Sequence, residues 1–183
     1  MANPNLSEEE QIIDDQVEKV GGTCPANEKT QLKSIFTNVV QKGMTIMEAI
    51  KFPPALLELL YSYASELYNS GKYQDANKLF YYLVHINPKD SRFPFAYAAS
   101  FHKLKKYEEA SSYYLMSAMY DKNNPLPWFH TGDCYLQLQR PDAALVMLNK
   151  AIGVAGDQPQ HSQLKKQAEG LRHAVVQALE GNQ

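Results

Sequence analysis

The chain has 183 residues, 18 basic and 20 acidic side chains, a formal charge of -2 and 44% hydrophobic residues. This is enough apolar material for one globular domain with a sizeable core, and so balanced a charge supplies no basic surface for nucleic-acid phosphates. The two cysteines, Cys24 and Cys134, are far apart and lack a C-x-x-C partner, a usage that fits a reducing cytoplasm rather than a disulfide-stapled secreted domain.

Residues 1–27 begin polar and are expected to be partly flexible. Five acidic residues (Glu8, Glu9, Glu10, Asp14 and Asp15) and the lack of a long apolar core argue against a secretory leader. No apolar stretch approaches the roughly 20 residues that span a bilayer, so a cytosolic protein is expected. Ser7 and Glu10 are spaced as a capping box ahead of Ile12, Ile13, Val17 and Val20, which predicts a short helix ending at Gly21-Gly22. Residues 28–56 hold two further helices. Leu32, Ile35, Phe36, Val39 and Val40 recur at i, i+3, i+4, i+7 and i+8, and Gly43 stops that helix. A second capping box, Thr45 to Glu48, opens a short helix before Pro53-Pro54.

Residues Lys72 to Pro88, "KYQDANKLFYYLVHINP", contain an apolar run from Leu79 to Ile86 that suits a buried strand or a helix equally. A 34-residue repeat decides it. At that offset Ala64 falls on Ala98 and Gly132, Ala76 on Ala110 and Ala144, Leu67 on Phe101 and Tyr135, and Phe80 on Tyr114 and Leu148. Tyr73 matches Tyr107, with Pro141 breaking that column. Small residues at two fixed positions of such a period mark paired antiparallel helices, with Ala or Gly where the axes come closest. The run is then the second helix of the first pair, its stripe made by Ala76, Phe80 and Leu83. Turn signals separate the helices at 69–73, 103–107 and 138–142, and Pro88 and Pro125 close the first two units. Residues 159–183 end the chain with a helix marked by Leu164, Ala168, Leu171, Val175 and Leu179, which reads as a cap; Lys165, Lys166 and Arg172 form its solvated face.

The pattern over 57–158 resembles the tetratricopeptide repeat, most fully in the third copy with Trp128, Gly132, Tyr135, Ala144 and Ala151. Leu60 and Pro94 take the place of Trp128 in the other two. The implied fold is all-α, three tandem repeats in an α-solenoid, with N-terminal helices and a C-terminal capping helix. In such repeats the first helix of each pair lines a groove. By position the lining residues are Tyr61, Ser65 and Tyr68, then Arg92, Phe95, Ala99 and His102, then Leu126, Phe129 and Asp133. Tyr61, Phe95 and Phe129 stand one repeat apart, and all 12 tyrosines fall between Tyr61 and Tyr135. Tyr63, Tyr73, Phe80, Phe101, Tyr107, Tyr114 and Tyr135 read as core, whereas spaced exposed aromatics mark an interaction site.

The stretches "GMTIMEAIKFPPALLELLYSYASELYNSGKYQDA", "DSRFPFAYAA" and "FHTGDCYLQL" resemble one branch more narrowly, the class II chaperones of bacterial type III secretion. The likeness covers roughly 32–180. It implies a bacterial cytoplasmic chaperone, not an enzyme, that keeps hydrophobic translocators soluble by gripping their extended N-terminal segment. Tyr61, Ala64, Tyr68 and Tyr73 would shape the first pockets, and Phe95 and His102 would continue the channel. It also implies a homodimer through Leu32, Ile35, Phe36, Val39 and Val40, although that stripe also suits packing on the first repeat.

Two other readings follow from particular residues. A co-chaperone that clasps a terminal carboxylate places Lys, Asn and Arg in its groove; the matching positions are Tyr61, Ser65, Ala96, Leu126 and His130, none of them such a residue. A general repeat scaffold binding another peptide is the remaining alternative. An enzyme would draw on His130, Asp133 and Cys134, which share a helical face. No phosphate loop or H-E-x-x-H accompanies them, and Cys134 sits in a core pattern, so no cofactor and no metal are expected.

Overall fold

A computed structural model describes residues 7–180. These residues form α-helices and one 3-10 turn, with no strand among them, as the repeat predicts. The chain divides into two compact units between Leu56 and Leu57.

The first unit holds α1 (Glu8–Gly21), α2 (Ala26–Val40) and α3 (Ile46–Ala49). Both capping boxes form. Ser7 Oγ accepts from the Glu10 amide at 3.3 Å while the Ser7 amide donates to Glu10 Oε2 at 2.8 Å. Thr45 Oγ1 accepts from the Glu48 amide at 3.2 Å and its own amide donates to Glu48 Oε2 at 2.7 Å. Ile13 and Val17 of α1 are buried. Lys29 and Lys33 of α2 reach back to Glu18 and Asp14 of α1, at 2.7 and 2.6 Å. The apolar stripe of α2 is a different matter: no residue of that helix is fully buried, and Val40 is 58% exposed.

The second unit holds three helix pairs and a closing helix: α4 (Pro54–Asn69) with α5 (Tyr73–Ile86), α6 (Arg92–Lys103) with α7 (Tyr107–Tyr120), α8 (Leu126–Gln137) with α9 (Pro141–Ala155), then α10 (Ser162–Glu180). The ambiguous run Leu79–Ile86 is helical. Ala76, Phe80 and Leu83 are its buried stripe, and Tyr81 and Tyr82 face outward, which no buried strand would allow.

The repeat reaches down to single torsions. Each pair turns through one left-handed residue, Gly71, Lys105 and Gln139, at φ 79°, 60° and 57°. The next amide, that of Lys72, Lys106 or Arg140, donates to the carbonyl of Leu67, Phe101 or Tyr135 at 2.8–2.9 Å, closing the helix end with a six-to-one bond. Glycine fills this position only once; the helix pair holds Lys105 and Gln139 in a conformation that side chains disfavour.

The small-residue columns carry the core. Ala64, Ala76, Ala98, Ala110 and Ala144 are completely buried, and Phe80, Tyr114 and Leu148 nearly so. Leu148 also joins Ala151 and Ala168 in the cluster that docks α10, with Trp128 and Leu171 against it. A Cβ added at Gly132 would stand 3.0 Å from Leu148 Cγ and 3.1 Å from its Cδ2. Leu148 is itself enclosed, so it cannot swing clear. Gly132→Val is expected to destabilise the protein by about 1–3 kcal/mol, read as a lower urea midpoint at unchanged slope.

Candidate functional site: two adjoining cavities along the first helices

Two cavities open beside each other on the faces of α4, α6 and α8. The smaller, about 210 Å3, lies between Tyr61, Ser65 and Tyr68 of α4 and Phe95, Ala96 and Ala99 of α6, with Phe80 and Asn69 completing it. The larger, about 480 Å3, shares Tyr68, Phe95 and Ala99 and continues past His102 and Lys103 to Leu126, Phe129, His130 and Asp133 of α8, with Tyr114 from α7. The shared residues make the two cavities one groove with two compartments.

Nine positions named from the sequence therefore come together here: Tyr61, Ser65, Tyr68, Phe95, Ala99, His102, Leu126, Phe129 and Asp133. Three others do not line it. Ala64 is wholly buried, because its column is the helix crossing and its Cβ points into the pair. Tyr73 stands behind the wall, its ring edge-on to Tyr68 at 5.2 Å. Arg92 ties helices together instead: its Nη2 lies 2.6 Å from both Glu58 Oε1 and Asp90 Oδ2, and its guanidinium sits 5.4 Å over the Tyr61 ring.

Phe80 and Tyr114 also line the groove, although their column reads as core. Each is core from one side and groove floor from the other. Their column faces the small residues of the first helix, as Leu148 faces Gly132, and a small residue in front leaves the ring behind it visible. Asn69 and Lys103 share one 34-residue column, and Ala96 and His130 another, but the residue type changes within each, so the repeat of like residues gave no signal for them; Ala96 and His130 enter the sequence reading only through the carboxylate-clamp and enzyme alternatives.

The wall is an aromatic network. Phe95 meets Tyr114 at 5.3 Å and His130 at 5.8 Å, His130 stacks on Tyr114 at 5.2 Å, and Phe129 meets His130 at 5.5 Å. Tyr61 leans on Phe80 and Phe93 at 6.0 and 5.6 Å. Burial raises the Tyr114 hydroxyl well above its ordinary pKa. Burial, and then the neighbouring His102, draw His130 down to about 4, so its ring is neutral at pH 7.

The constellation at α8 differs from the expected His130–Asp133–Cys134 face. His102, from the preceding repeat, takes the place of His130. Cys134 Sγ lies 3.7 Å from His102 Nδ1, and His102 Nε2 lies 3.2 Å from Asp133 Oδ2. The bond from His102 lowers the Asp133 carboxyl. This has the connectivity of a thiol–imidazole–carboxylate triad, but Cys134 is wholly buried. Burial first, then the Asp133 charge, push its thiol up to about 12, opposite to the shift a nucleophile needs. The thiol and the carboxylate each engage one ring nitrogen of His102. The thiol thus fixes the imidazole rather than attacking anything. Among the described residues no group of three His, Cys, Asp or Glu side chains is placed to hold a metal, and no helix is long and apolar enough to cross a membrane.

Comparison with known proteins identifies the fold and the family. The tetratricopeptide repeat family model matches residues 57–90 and 93–124. Low calcium response locus protein H of Yersinia pseudotuberculosis is 31% identical over 136 residues, covering 73% of this chain and 79% of that protein. The chain belongs to the class II chaperones of type III secretion.

Among solved structures, PcrH in complex with the chaperone-binding region of PopD has a TM-score of 0.68 at 32% identity, covering 69% of this chain and 96% of PcrH. The Yersinia enterocolitica translocator chaperone SycD has a TM-score of 0.68 at 31% identity, covering 72% of this chain and 98% of SycD. SycD has also been solved with a peptide of the translocator YopD and as an alternative dimer. For this member of the family, the Cys134 geometry sets a chemical expectation. At pH 8 an alkylating reagent should modify the half-buried Cys24 while Cys134 stays unmodified until the protein is denatured, counted by intact-mass spectrometry. Rapid native labelling of Cys134 would contradict the buried-thiol reading.

Proposed function

We propose that this protein is a bacterial cytoplasmic chaperone that holds the extended N-terminal segment of hydrophobic translocator proteins in its two-compartment groove until export. The observation that carries this is the continuity of the two cavities through Tyr68, Phe95 and Ala99. A single isolated pocket would suit a small molecule; two adjoining compartments on one face suit successive side chains of an extended chain, which rises about 3.3 Å per residue. SycD, solved with a peptide of the translocator YopD, and PcrH, solved with the chaperone-binding region of PopD, support assigning a client of this class here.

Magnitudes suit a holding role. Three buried apolar anchors contribute roughly 1.5–3 kcal/mol each, or about 5–9 kcal/mol, and ordering a flexible segment costs about 2–5 kcal/mol of that. Anchors alone give weak binding; the rest must come from further contacts, and the total remains reversible. The α2 stripe of Leu32, Ile35, Phe36, Val39 and Val40, left without a fully buried residue, is assigned to a homodimer contact. A catalytic role finds no support in the α8 constellation, whose thiol is sealed.

Translocators of the native bacterium are expected to co-purify with the tagged chaperone and to be identified by mass spectrometry. Tyr68→Ala combined with Phe95→Ala should raise the Kd for the client's N-terminal segment at least about thirtyfold, measured by calorimetry, with the helical circular dichroism unchanged. Unaltered affinity would remove the groove as the client site. For the dimer, Ile35→Glu with Val39→Glu is expected to halve the mass seen by light scattering at micromolar concentration; an unchanged mass would exclude that stripe.

A further inference from the structure

The two compartments differ in the chemistry they offer. The smaller is bounded by rings, alanines and neutral polar groups. The larger has rings for walls, Phe95, Tyr114 and Phe129, and one carboxylate, Asp133, facing it. The Asp133 side chain is one-third exposed, so it is within reach of an occupant, and the bond donated by His102 holds it ionised. Burial and the neighbouring His102 keep His130 neutral, and His102 holds Asp133 Oδ2 at 3.2 Å without closing the carboxylate off from solvent. The remaining cation of the compartment, Lys103, is exposed at the rim, where its long stem keeps the ammonium in water.

An apolar side chain pressed against Asp133 would strip its water and return no hydrogen bond. A cation gains twice: N–H donors pair with the carboxylate, and aromatic faces within about 6 Å attract the charge. We propose that Asp133 determines the client specificity of this chaperone, selecting segments that place a Lys or Arg in the larger compartment beside an apolar residue held in the smaller one. This rests on the groove being the client site.

The test is selection from a displayed library of random twelve-residue peptides on the full-length protein, on Asp133→Asn and on Asp133→Lys, with Phe95→Glu as a groove-blocked control. Wild type should enrich peptides with a basic residue at a fixed spacing from an apolar one. Asp133→Asn should lose the basic preference and keep the apolar residue, and Asp133→Lys should turn the preference to Asp or Glu. In fluorescence anisotropy, replacing the selected Lys or Arg by Gln in the best peptide should weaken binding to wild type about tenfold and leave Asp133→Asn unaffected. The peptide substitution needs no protein variant to fold. The same apolar consensus on all three proteins, or no loss with the Gln peptide, would overturn the role of Asp133 while leaving the groove reading intact. Failure to enrich any peptide, or enrichment undiminished on Phe95→Glu, would overturn the groove reading and this inference with it.

Discussion

Each repeat depends on two helices approaching at positions that admit only alanine or glycine. Ala64 and Ala76, Ala98 and Ala110, and Gly132 and Ala144 are the paired small residues, the alanines fully buried. At the third crossing even a methyl group would press on Leu148. Close approach brings the large residue of the second helix against the gap in the first, so Phe80, Tyr114 and Leu148 fill the space the small residues leave. The fold is thus specified by an alternation of sizes across a helix pair, more tightly than by hydrophobicity alone.

The same alternation builds the groove. Rings from α5 and α7 show between small residues of α4 and α6 and become its floor, while Tyr61, Tyr68, Phe95 and Phe129 project from the first helices as its walls. A binding surface assembled this way is rigid, because its floor residues are also core residues. It also explains why some groove aromatics carry two duties. Tyr61 bounds the smaller cavity and yet leans on Phe80 and Phe93 with Arg92 above it, so its loss would disturb both roles at once.

Periodicity made the repeat legible because it is enforced in every copy, down to the left-handed turn at Gly71, Lys105 and Gln139. Capping boxes were legible because Ser7–Glu10 and Thr45–Glu48 are local signals, complete within four residues. What periodicity could not resolve was direction across a helix pair. Ala64 was expected in the groove and is buried at the crossing; Tyr73 was expected beside it and supports Tyr68 from behind. Nor could spacing along one helix reveal that His102, 32 residues before Cys134, supplies the imidazole that His130 was expected to give. Contacts between successive repeats depend on the offset of one pair against the next, and no single-helix pattern encodes that offset.

The His102–Asp133 contact has a further consequence for how the second and third repeats behave as one surface. His102 belongs to α6 and Asp133 to α8, and their bond at 3.2 Å spans the junction in the wall of the larger cavity. The buried thiol behind His102 fixes which nitrogen faces Asp133. Orientation of the groove's carboxylate is therefore determined by a chain of groups running inward to the core, and not by the exposed side chain alone. A polar network that is satisfied on its inner side can present its outer side to an occupant without a large reorganisation. Three residues with the connectivity of a hydrolase triad thereby serve recognition: burial keeps the thiol protonated and packed on its neighbour, and what remains is a positioned negative charge among aromatic rings.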